Sequence, residues 1–371
     1  MNNYLTFAEI DLSAIRHNFR VLHKLAGKAK ILTVIKADAY GHGMVPIAKL
    51  LARERVDFVG LSNLNEGITL RKAGIKTPVL LFETTLAEQA KDIIDYKLTP
   101  TVCTYELAAA LSRYAQKRKR IVDIHVKVDT GMGRLGLWYQ EIPAFMNKIR
   151  RLRNLRVQGL YTHFPVADID RAFTRKQIQQ FIMLLQQLNA DGWQIPYVHA
   201  ANSMGLAGYK AAILNLPRPG LMLYGLYPRP ELEKKINLRP VMSVHSKIIF
   251  LKHIEKGRSI SYGRTFIAPR PMTVATLPIG YSDGYLRGLS GKADVLVGGK
   301  RCPILGRVTM DQIVVDVSKI KNPRLGMPVV ILGRQGKQQV CAYELAQHAR
   351  TINYEIVCSL GSRLPRVYKR I

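Results

Sequence analysis

The chain has 371 residues, of which 47% are hydrophobic and 22% are charged. This composition excludes a disordered protein, and the length predicts two domains, because one hydrophobic core seldom organises so long a chain. Lysine and arginine number 56 against 26 aspartates and glutamates, so the net charge is +30 and a nucleic-acid-binding protein stays open as a class.

The cysteines and the hydropathy pattern predict a cytoplasmic protein without a metal site. Cys103, Cys302, Cys341 and Cys358 are scattered and form no Cys-x-x-Cys pair, so neither a zinc site nor a disulfide framework is indicated. Residues 1–11 lack the basic and apolar regions of a secretory signal, and no apolar run is long enough to span a bilayer.

The first predicted elements are a short strand and an amphipathic helix. Residues 9–15 predict a strand followed by a helix that Asp11 or Ser13 caps. The helix is predicted over residues 13–26 and ends at Gly27. Its predicted apolar face consists of Ile15, Phe19, Leu22 and Leu25.

Eight short runs rich in valine, isoleucine and leucine follow. They are residues 31–36, 57–62, 78–82, 98–102, 121–129, 156–162, 197–200 and 221–226. Segments with helical spacing separate them, such as Leu107–Tyr114 and Phe173–Leu188. Strands that are apolar on both faces and alternate with helices are typical of a closed parallel barrel. We therefore predict an eight-stranded TIM-type α/β barrel over residues 1–235.

After about residue 235 the pattern changes to strands linked by glycine, proline and aspartate turns, with little helix before Cys341. The strand candidates are residues 241–254, 272–277, 294–297, 302–317 and 329–332. We therefore predict a mainly antiparallel β domain over residues 236–371, with the boundary in 228–240. Residues 1–12 are a candidate to pair with this domain.

A single lysine ends the first barrel strand. Lys36 follows the β-branched run 31–35 and precedes a Gly-His-Gly turn at 41–43. A lysine at the carboxyl end of a barrel strand can form an imine with an aldehyde such as pyridoxal phosphate, because partial desolvation keeps some of the amine neutral. A surface lysine at a strand end is the open alternative.

Other polar groups fall at the same end of the predicted barrel. They are Ser62, Arg134, His163, Asn202, Ser203 and Arg218. The segment 202–205 ends the seventh strand and 218–221 opens the eighth, a region where barrels commonly bind phosphate with backbone amides and a hydroxyl. Each group also has an ordinary interpretation, as a turn residue or, for His163, a core histidine.

Two basic runs, 117–120 and 148–156, bear on the nucleic-acid hypothesis. They lie on predicted helix faces or just before strands, which favours a solvated outer surface of the barrel. The chain carries no helix-turn-helix, zinc-finger or RNA-recognition signature. The sequence therefore disfavours specific nucleic-acid binding.

Taken together, the motifs resemble the bacterial alanine racemases, enzymes of fold type III that depend on pyridoxal 5'-phosphate. The matching segments run in order through 9–11, 34–43, 127–134, 162–164, 201–203, 218–220, 261–263, 280–284, 306–312 and 353–355. They extend over essentially the whole chain. The family's fold is an α/β barrel followed by a β domain, as the periodicity also predicts.

The resemblance implies a cytoplasmic isomerase that interconverts L-alanine and D-alanine and supplies D-alanine for peptidoglycan. It implies that Lys36 holds the cofactor as an imine and, once released, is the base for D-alanine. Tyr262 is similar to the opposite-face base for L-alanine, with Arg264 nearby. In the family this tyrosine belongs to the partner subunit of a head-to-tail homodimer, so a lone chain would be inactive.

The resemblance also implies how the cofactor ring is controlled. Arg218 is similar to the arginine that meets the pyridine nitrogen. An arginine does not readily release a proton, so the ring stays largely unprotonated and transamination is disfavoured. His163 is then implied to be hydrogen-bonded between Arg218 and Tyr262.

The remaining implied site residues form four sets. The phosphate cradle would be Tyr40, Ser203, Gly220, Leu221 and Tyr354. Arg134 and the backbone amide of Met310 would bind the substrate carboxylate, and Arg134 would also approach the phenolic oxygen of the cofactor. Lys127 matches a lysine that is carbamylated in some members, which would neutralise and orient Arg134. A narrow access corridor would be lined by Tyr281, Tyr354, Asp168, Arg287, Arg307 and Asp311.

Three relatives of this function are alternatives. A broader amino-acid racemase would need a wider corridor, and the decarboxylases of the same fold type lack the Ser-Tyr-Gly context at 261–263. A non-catalytic pyridoxal phosphate carrier lacks the β domain. The sequence therefore favours alanine racemisation, and the +30 charge has no role in that chemistry.

Overall fold

A computed structural model describes residues 3–369. Its internal contacts divide the chain into two compact units. The first, called here the barrel unit, contains Arg16–Ala39 and Met44–Leu238. The second, called the sheet unit, contains Tyr40–Gly43, the described residues up to Ile15 and those from Arg239 onward. No helix within residues 3–369 is both long enough and apolar enough to cross a membrane.

The first two elements are strand β1 (Phe7–Asp11) and helix α1 (Leu12–Ala26). The Asp11 carboxylate accepts hydrogen bonds from the amides of Ser13 and Ala14 at 2.8 and 3.1 Å, so Asp11 is the helix cap. Gly27, with φ of +66°, follows the helix end as predicted. Leu25 is exposed, so its predicted place on the apolar face is wrong; the next residue is buried instead.

The barrel unit contains a parallel sheet with helices between its strands. Its strands are β2 (Leu32–Val34), β3 (Phe58–Leu61), β4 (Val79–Thr84), β5 (Thr99–Val102), β6 (Val122–Asp129), β7 (Leu137–Trp138), β8 (Leu155–Tyr161) and β9 (Tyr197–His199). The order is β2-β3-β4-β5-β6-β8-β9, every neighbouring pair is parallel, and the short β7 pairs with β6. Seven of the eight predicted strands are thereby confirmed.

The helices between these strands bury one face each. They are α2 (Lys36–Gly41), α3 (Met44–Arg53), α4 (Leu64–Lys72), α5 (Ala90–Asp95), α6 (Tyr105–Lys117), α7 (Ile142–Ile149), α8 (Arg171–Ala190) and α9 (Ser203–Gly208). Asn63, Thr104 and Asp170 cap α4, α6 and α8 by accepting from a backbone amide three residues later. Helical segments predicted within α6 and α8 are thus confirmed.

The prediction of an eighth strand at residues 221–226 is wrong. Leu221–Tyr224 is a turn of 3₁₀ helix, and the place beside β2 is taken by an extended segment just before it. In that segment, the carbonyls of Pro217 and Pro219 accept from the amides of Leu32 and Val34 at 3.1 and 2.9 Å. Because proline has no N–H, this segment cannot form a regular ladder, although it closes on the edge of the sheet.

The sheet unit is built on a mainly antiparallel sheet. Its elements after β1 are β10 (Met242–Lys247), β11 (Phe250–Ile254), β12 (Ser259–Ile260), β13 (Phe266–Ile267), β14 (Met272–Leu277), β15 (Asp294–Val297), β16 (Lys300–Leu305), β17 (Ile313–Asp316), β18 (Pro328–Gln335), β19 (Gln338–Val340), α10 (Ala342–Ala349), α11 (Asn353–Cys358) and β20 (Arg366–Lys369). The order is β11-β14-β17-β16-β15-β18-β10-β1-β20, with β19 beside β18 and a separate β12-β13 pair. The predicted mainly antiparallel architecture is confirmed.

Candidate active site

Lys36 lies at the carboxyl end of the first barrel strand, as predicted, and begins the single helical turn α2. The four residues after it, 37–40, have φ between +50° and +55°, so this turn is left-handed. Within it the amide of Ala39 donates to the carbonyl of Ile35 at 2.9 Å. Outside it the carboxylate of Glu66 accepts from the amide of Ala37 at 2.6 Å. The backbone around Lys36 is therefore held in one uncommon conformation.

The end of this turn requires glycine. Gly41 has φ of +78°, and a Cβ at this position would lie 2.4 Å from the carbonyl oxygen of Val357. No larger residue fits, because a backbone oxygen cannot move aside as a flexible side chain can. The carbonyl of Gly41 in turn accepts from Arg366 Nε at 3.1 Å.

Four cations surround His163 in the barrel unit. Burial lowers the pKa of His163 well below its usual value, and the charges of Arg218, Lys127, Arg134 and Lys36 lower it further, in that order. The imidazole is therefore neutral at neutral pH. Its Nδ1 lies 3.5 Å from Nη2 of Arg218, so the predicted neighbours Arg218 and His163 are brought together.

Lys127 is buried inside the barrel on β6. Burial, with the charges of Arg218 and Arg134, lowers the pKa of its amine to about 7, against the opposing effect of Asp129. Nζ donates to the carbonyl of Val128 at 3.3 Å. The amine is consequently part neutral near pH 7, which suits the lysine predicted to be carbamylated.

The side chain of Arg218 is also buried, and burial lowers its pKa to about 10, so it stays charged. Nη1 donates to His199 Nδ1 at 2.9 Å, and Nη2 donates to the carbonyls of Thr162 and Ala200 at 2.7 and 3.0 Å. None of these bonds uses the Nε hydrogen, so Nε–H is a donor that remains for a bound group.

Ser203 begins helix α9 and is buried. Its hydroxyl oxygen accepts from the amides of Gly220 and Met222 at 3.1 and 3.3 Å. The same hydroxyl can still donate one hydrogen bond, and backbone amides at the start of a helix favour anions, so this position suits a phosphate. Three predicted cradle residues, Ser203, Gly220 and Leu221, therefore lie together in the barrel unit.

The loop that carries Arg134 is ordered by a carboxylate. Asp129 ends β6 and accepts from the amides of Gly131, Met132 and Gly133 at 2.7, 2.8 and 2.8 Å. These bonds hold the Asp129 carboxylate in place and fix the backbone of 131–133. Arg134 itself is exposed.

The other two predicted cradle residues lie in the sheet unit. The rings of Tyr40 and Tyr354 are 6.1 Å apart between centroids. Burial raises the pKa of the Tyr40 phenol, and the neighbouring Tyr354 and Cys358 raise it further, so it remains a hydrogen-bond donor.

Tyr262, the predicted opposite-face base, lies on a constrained turn of the sheet unit. Ser261, Gly263 and Arg264 have φ of +64°, +71° and +49°. Ser261 Oγ donates to the carbonyl of Arg307 at 2.6 Å, which ties the turn to the loop after β16. The Tyr262 side chain is 72% exposed, so this chain leaves the phenol free to meet another surface.

The corridor residues of the sheet unit lie on two loops that hold each other. Arg363 donates to Asp311 at 2.8 Å, and Ser282, next to Tyr281, donates to the carbonyl of Met310 at 2.6 Å. Met310 is 53% exposed. Among the remaining corridor residues, Arg287 begins a short 3₁₀ turn of the sheet unit, Arg307 lies beside the Tyr262 turn, and Asp168 is an exposed residue of the barrel unit.

Three residues of the barrel interior were not predicted. Tyr161 stacks on His199 with centroids 4.6 Å apart, and its ring lies under Arg218 and Lys127. His125 lies behind His199. The signal that could have revealed them is polar residues at alternate positions within otherwise apolar strands, as in 125, 127 and 129 of β6.

The chain is similar over its full length to proteins of one family. The family model of the alanine racemase N-terminal domain matches residues 10–228, and that of the alanine racemase C-terminal domain matches residues 241–368. The alanine racemase of Halothermothrix orenii is 43% identical over 366 residues, 98% of this chain and 97% of that protein.

Solved structures agree. That of alanine racemase from Clostridium difficile 630 aligns with 100% of this chain and 97% of its own at 35% identity, with a TM-score of 0.93. That of alanine racemase from Bacillus anthracis, with bound L-Ala-P, aligns with 100% and 96% at 33% identity, with a TM-score of 0.92.

Proposed function

The chain belongs to the alanine racemase family, and from this we propose that it interconverts L-alanine and D-alanine with pyridoxal 5'-phosphate as cofactor. The observation that carries the proposal is the cluster of Lys36, Lys127, Arg134 and Arg218 around the neutral His163. So many basic groups suit a ligand that carries a phosphate and a phenolate. D-alanine made here would supply peptidoglycan.

The donor groups of the barrel unit fit this cofactor. The hydroxyl hydrogen of Ser203 and the first amides of α9 are suited to the phosphate, and the Nε–H of Arg218 is suited to a ring nitrogen. Lys36 is the amine that would hold the aldehyde. When bound, pyridoxal phosphate supplies an electron sink that makes the α proton of alanine acidic.

The chain's own task is then to move a proton between the two faces of the α carbon. We assign proton removal from L-alanine to the phenolate form of Tyr262, which becomes the phenol, and proton return on the other face to the protonated amine of Lys36. The left-handed turn fixes where that amine leaves the strand end. A base on each face is what racemisation needs, because a single base would return the proton to the face it came from.

Arg218 is assigned a restraining role. Its hydrogen bonds to two carbonyls and a neutral imidazole keep the guanidinium protonated, so it donates a hydrogen bond without giving up a proton. Arg134 and the amide of Met310 are assigned to the carboxylate of the substrate. The neutral His163 beside Arg218 is suited to accept a hydrogen bond from the Tyr262 phenol.

We further propose a homodimer with shared active sites. The supporting observation is that Tyr262 and Met310, both assigned to the substrate, are 72% and 53% exposed in the single chain. A proton-transfer group needs a partly desolvated site, and a second copy of the chain would provide the missing surface.

The experiment that tests the function is racemisation in deuterated water. Purified protein loaded with pyridoxal phosphate is given L-alanine in D₂O, and the D-alanine formed is analysed by mass and by ¹H NMR. We expect deuterium at the α carbon of the first D-alanine formed, because the amine of Lys36 exchanges with solvent before it returns a proton. Early D-alanine that kept the substrate proton would contradict the two-base assignment.

Two substitutions separate the roles of the bases. Lys36→Ala should abolish turnover and the visible absorbance of the lysine-linked cofactor, whereas Tyr262→Phe should abolish turnover and keep that absorbance. Lys49→Ala and Tyr343→Phe, at exposed positions outside the site, are the matched controls and should behave as the parent. A Tyr262→Phe enzyme with the parent rate would refute the tyrosine assignment.

A further inference from the structure

A line of polar side chains runs from Arg218 through the interior of the barrel unit. Arg218 Nη1 lies 2.9 Å from His199 Nδ1, and His199 Nε2 lies 2.9 Å from His125 Nδ1. His125 Nε2 is 3.3 Å from Gln158 Oε1, and Gln158 Nε2 is 3.1 Å from Asp123 Oδ2. Four hydrogen bonds thus connect the arginine to a carboxylate at the start of β6.

The two ends of this line dictate the direction of every bond. A guanidinium has only donors, and a carboxylate that is paired with Arg156 at 2.5 and 2.9 Å has only acceptors. His199 must therefore accept at Nδ1 and donate from Nε2, and His125 must do the same. Both histidines are Nε2–H tautomers, and Gln158 accepts with its oxygen and donates with its nitrogen.

The interior is shaped to hold these rings. A Cβ on Gly159 would lie 2.4 Å from His125 Nδ1, so only glycine leaves room for the imidazole. The His199 ring is stacked on Tyr161, nearly parallel at 5°. Burial lowers the pKa of His125 to about 4 and that of His199 well below the usual value, so each ring keeps one donor and one acceptor.

We propose that His125, Gln158 and Asp123 are positioning residues for Arg218. The fixed direction of the line holds His199 Nδ1 as an acceptor, which pins Nη1 of Arg218 and so fixes the plane of its guanidinium and the direction of its Nε–H. Only the use of that guanidinium in racemisation rests on the proposed function; the direction of the line does not. Reversing a single bond would set two donors against each other somewhere in the line, in a buried site where that is costly.

Two variants at position 158 test the proposal, because one presents a hydrogen-bond donor to His125 and the other an acceptor. Gln158→Lys places a donor there, next to Asp123, and should force Nδ1–H tautomers on His125 and His199. The hydrogen on His199 Nδ1 would then oppose the Arg218 N–H. Gln158→Glu keeps an acceptor at the same place and should preserve both Nε2–H tautomers. Lys49→Ala, at an exposed position that contacts no member of the line, is the control.

Two measurements on the folded protein do not depend on its catalytic activity. Long-range ¹H–¹⁵N NMR assigns the tautomers of His125 and His199, and hydrogen exchange of the Arg218 side chain reports how firmly it is held. We expect Nε2–H tautomers and slow exchange in the parent, Gln158→Glu and Lys49→Ala. In Gln158→Lys we expect Nδ1–H tautomers and faster exchange. In the racemase assay Gln158→Lys should lower kcat about tenfold with KM for alanine unchanged.

Three results would overturn the proposal. An Nδ1–H tautomer of His199 in the parent does so without any variant, even if Gln158→Lys fails to fold. Unaltered tautomers and Arg218 exchange in a folded Gln158→Lys protein do so as well. Altered tautomers with the parent's Arg218 exchange would show that the line exists but does not position the arginine. Loss of racemisation in the parent would refute the proposed function alone, since neither NMR readout depends on it.

Discussion

The clearest consequence at the scale of single residues concerns the charge of Lys127. Its pKa is lowered from 10.5 to about 7 by burial and by Arg218 and Arg134. Between these two values the unfolded chain binds a proton that the folded chain does not. The free energy of unfolding of the apoprotein therefore increases as the pH rises from about 7 to 10.5, because of this residue. A neutral amine is also the form that attacks carbon dioxide.

We predict that Lys127 is carbamylated when carbon dioxide is present. The amine nitrogen adds to the carbon and loses its proton, and the resulting carboxylate relieves the excess of cations beside Arg134 and Arg218. Protein equilibrated with ¹³C-bicarbonate at pH 8 should give one carbamate ¹³C signal that weakens below pH 7. The signal should be absent in Lys127→Arg and retained in Lys49→Ala. An unmodified amine under these conditions would contradict the prediction.

Residues at strand ends could be predicted from sequence, and residues within strands could not. Lys36 and His163 follow apolar runs, so their position in a barrel follows from the fold alone. Tyr161 and His199 lie inside such runs, where a polar residue is usually explained as part of the core. Their role depends on which side chains of neighbouring strands meet, and that is a property of register rather than of composition.

At the scale of elements, the left-handed turn α2 is the feature with the largest backbone cost. Each non-glycine residue in this conformation costs about 1–2 kcal/mol relative to a right-handed one. Four such residues, 37–40, stand in a row directly after Lys36. The turn persists because of external bonds, including Met44 N to Asp38 Oδ1 at 2.7 Å and Ala37 N to Glu66. Strain is thereby concentrated beside the reactive lysine.

We predict that Ala37→Gly stabilises the protein. Ala37 is exposed, so no packing is lost, and glycine removes the left-handed penalty at a smaller cost in chain entropy. The expected gain in the free energy of unfolding is about 0.5–1 kcal/mol, measured by urea titration of the apoprotein. The matched change Ala109→Gly, in the right-handed helix α6, should instead cost about 1 kcal/mol. Equal losses in both variants would mean that the turn carries no such strain.

Neither this turn nor the missing eighth strand could be predicted from local sequence. The residues at 37–40 include two alanines, which favour right-handed helices, so propensity indicates the wrong hand. At 221–226 the apolar composition is typical of a strand, yet the segment with Pro217 and Pro219 takes the place beside β2. In both cases contacts with distant parts of the chain outweigh the local preference. The antiparallel strands of the sheet unit, set by turns near in sequence, were predictable.

At the scale of the whole molecule, the chain carries far more positive charge than its chemistry uses. The runs at 117–120 and 148–156 are mostly exposed, as expected for a solvated surface. Charges on such a surface repel one another and attract polyanions at low ionic strength. Any binding to nucleic acid from this source would be lost as salt is added. The charge therefore bears on solubility and association rather than on the reaction.

The shared active site can be tested by mixing two inactive variants. If Tyr262 of one chain serves Lys36 of another, a dimer of Lys36→Ala with Tyr262→Phe contains one site in which both bases are intact. Equal amounts of the two variants, allowed to exchange subunits, should recover about a quarter of the parent activity, because half of the dimers are mixed and each has one competent site of two. Lys36→Ala mixed with the double variant should recover none. If both bases instead came from the same chain, each mixed dimer would lack a complete site, and the first mixture would stay as inactive as its components.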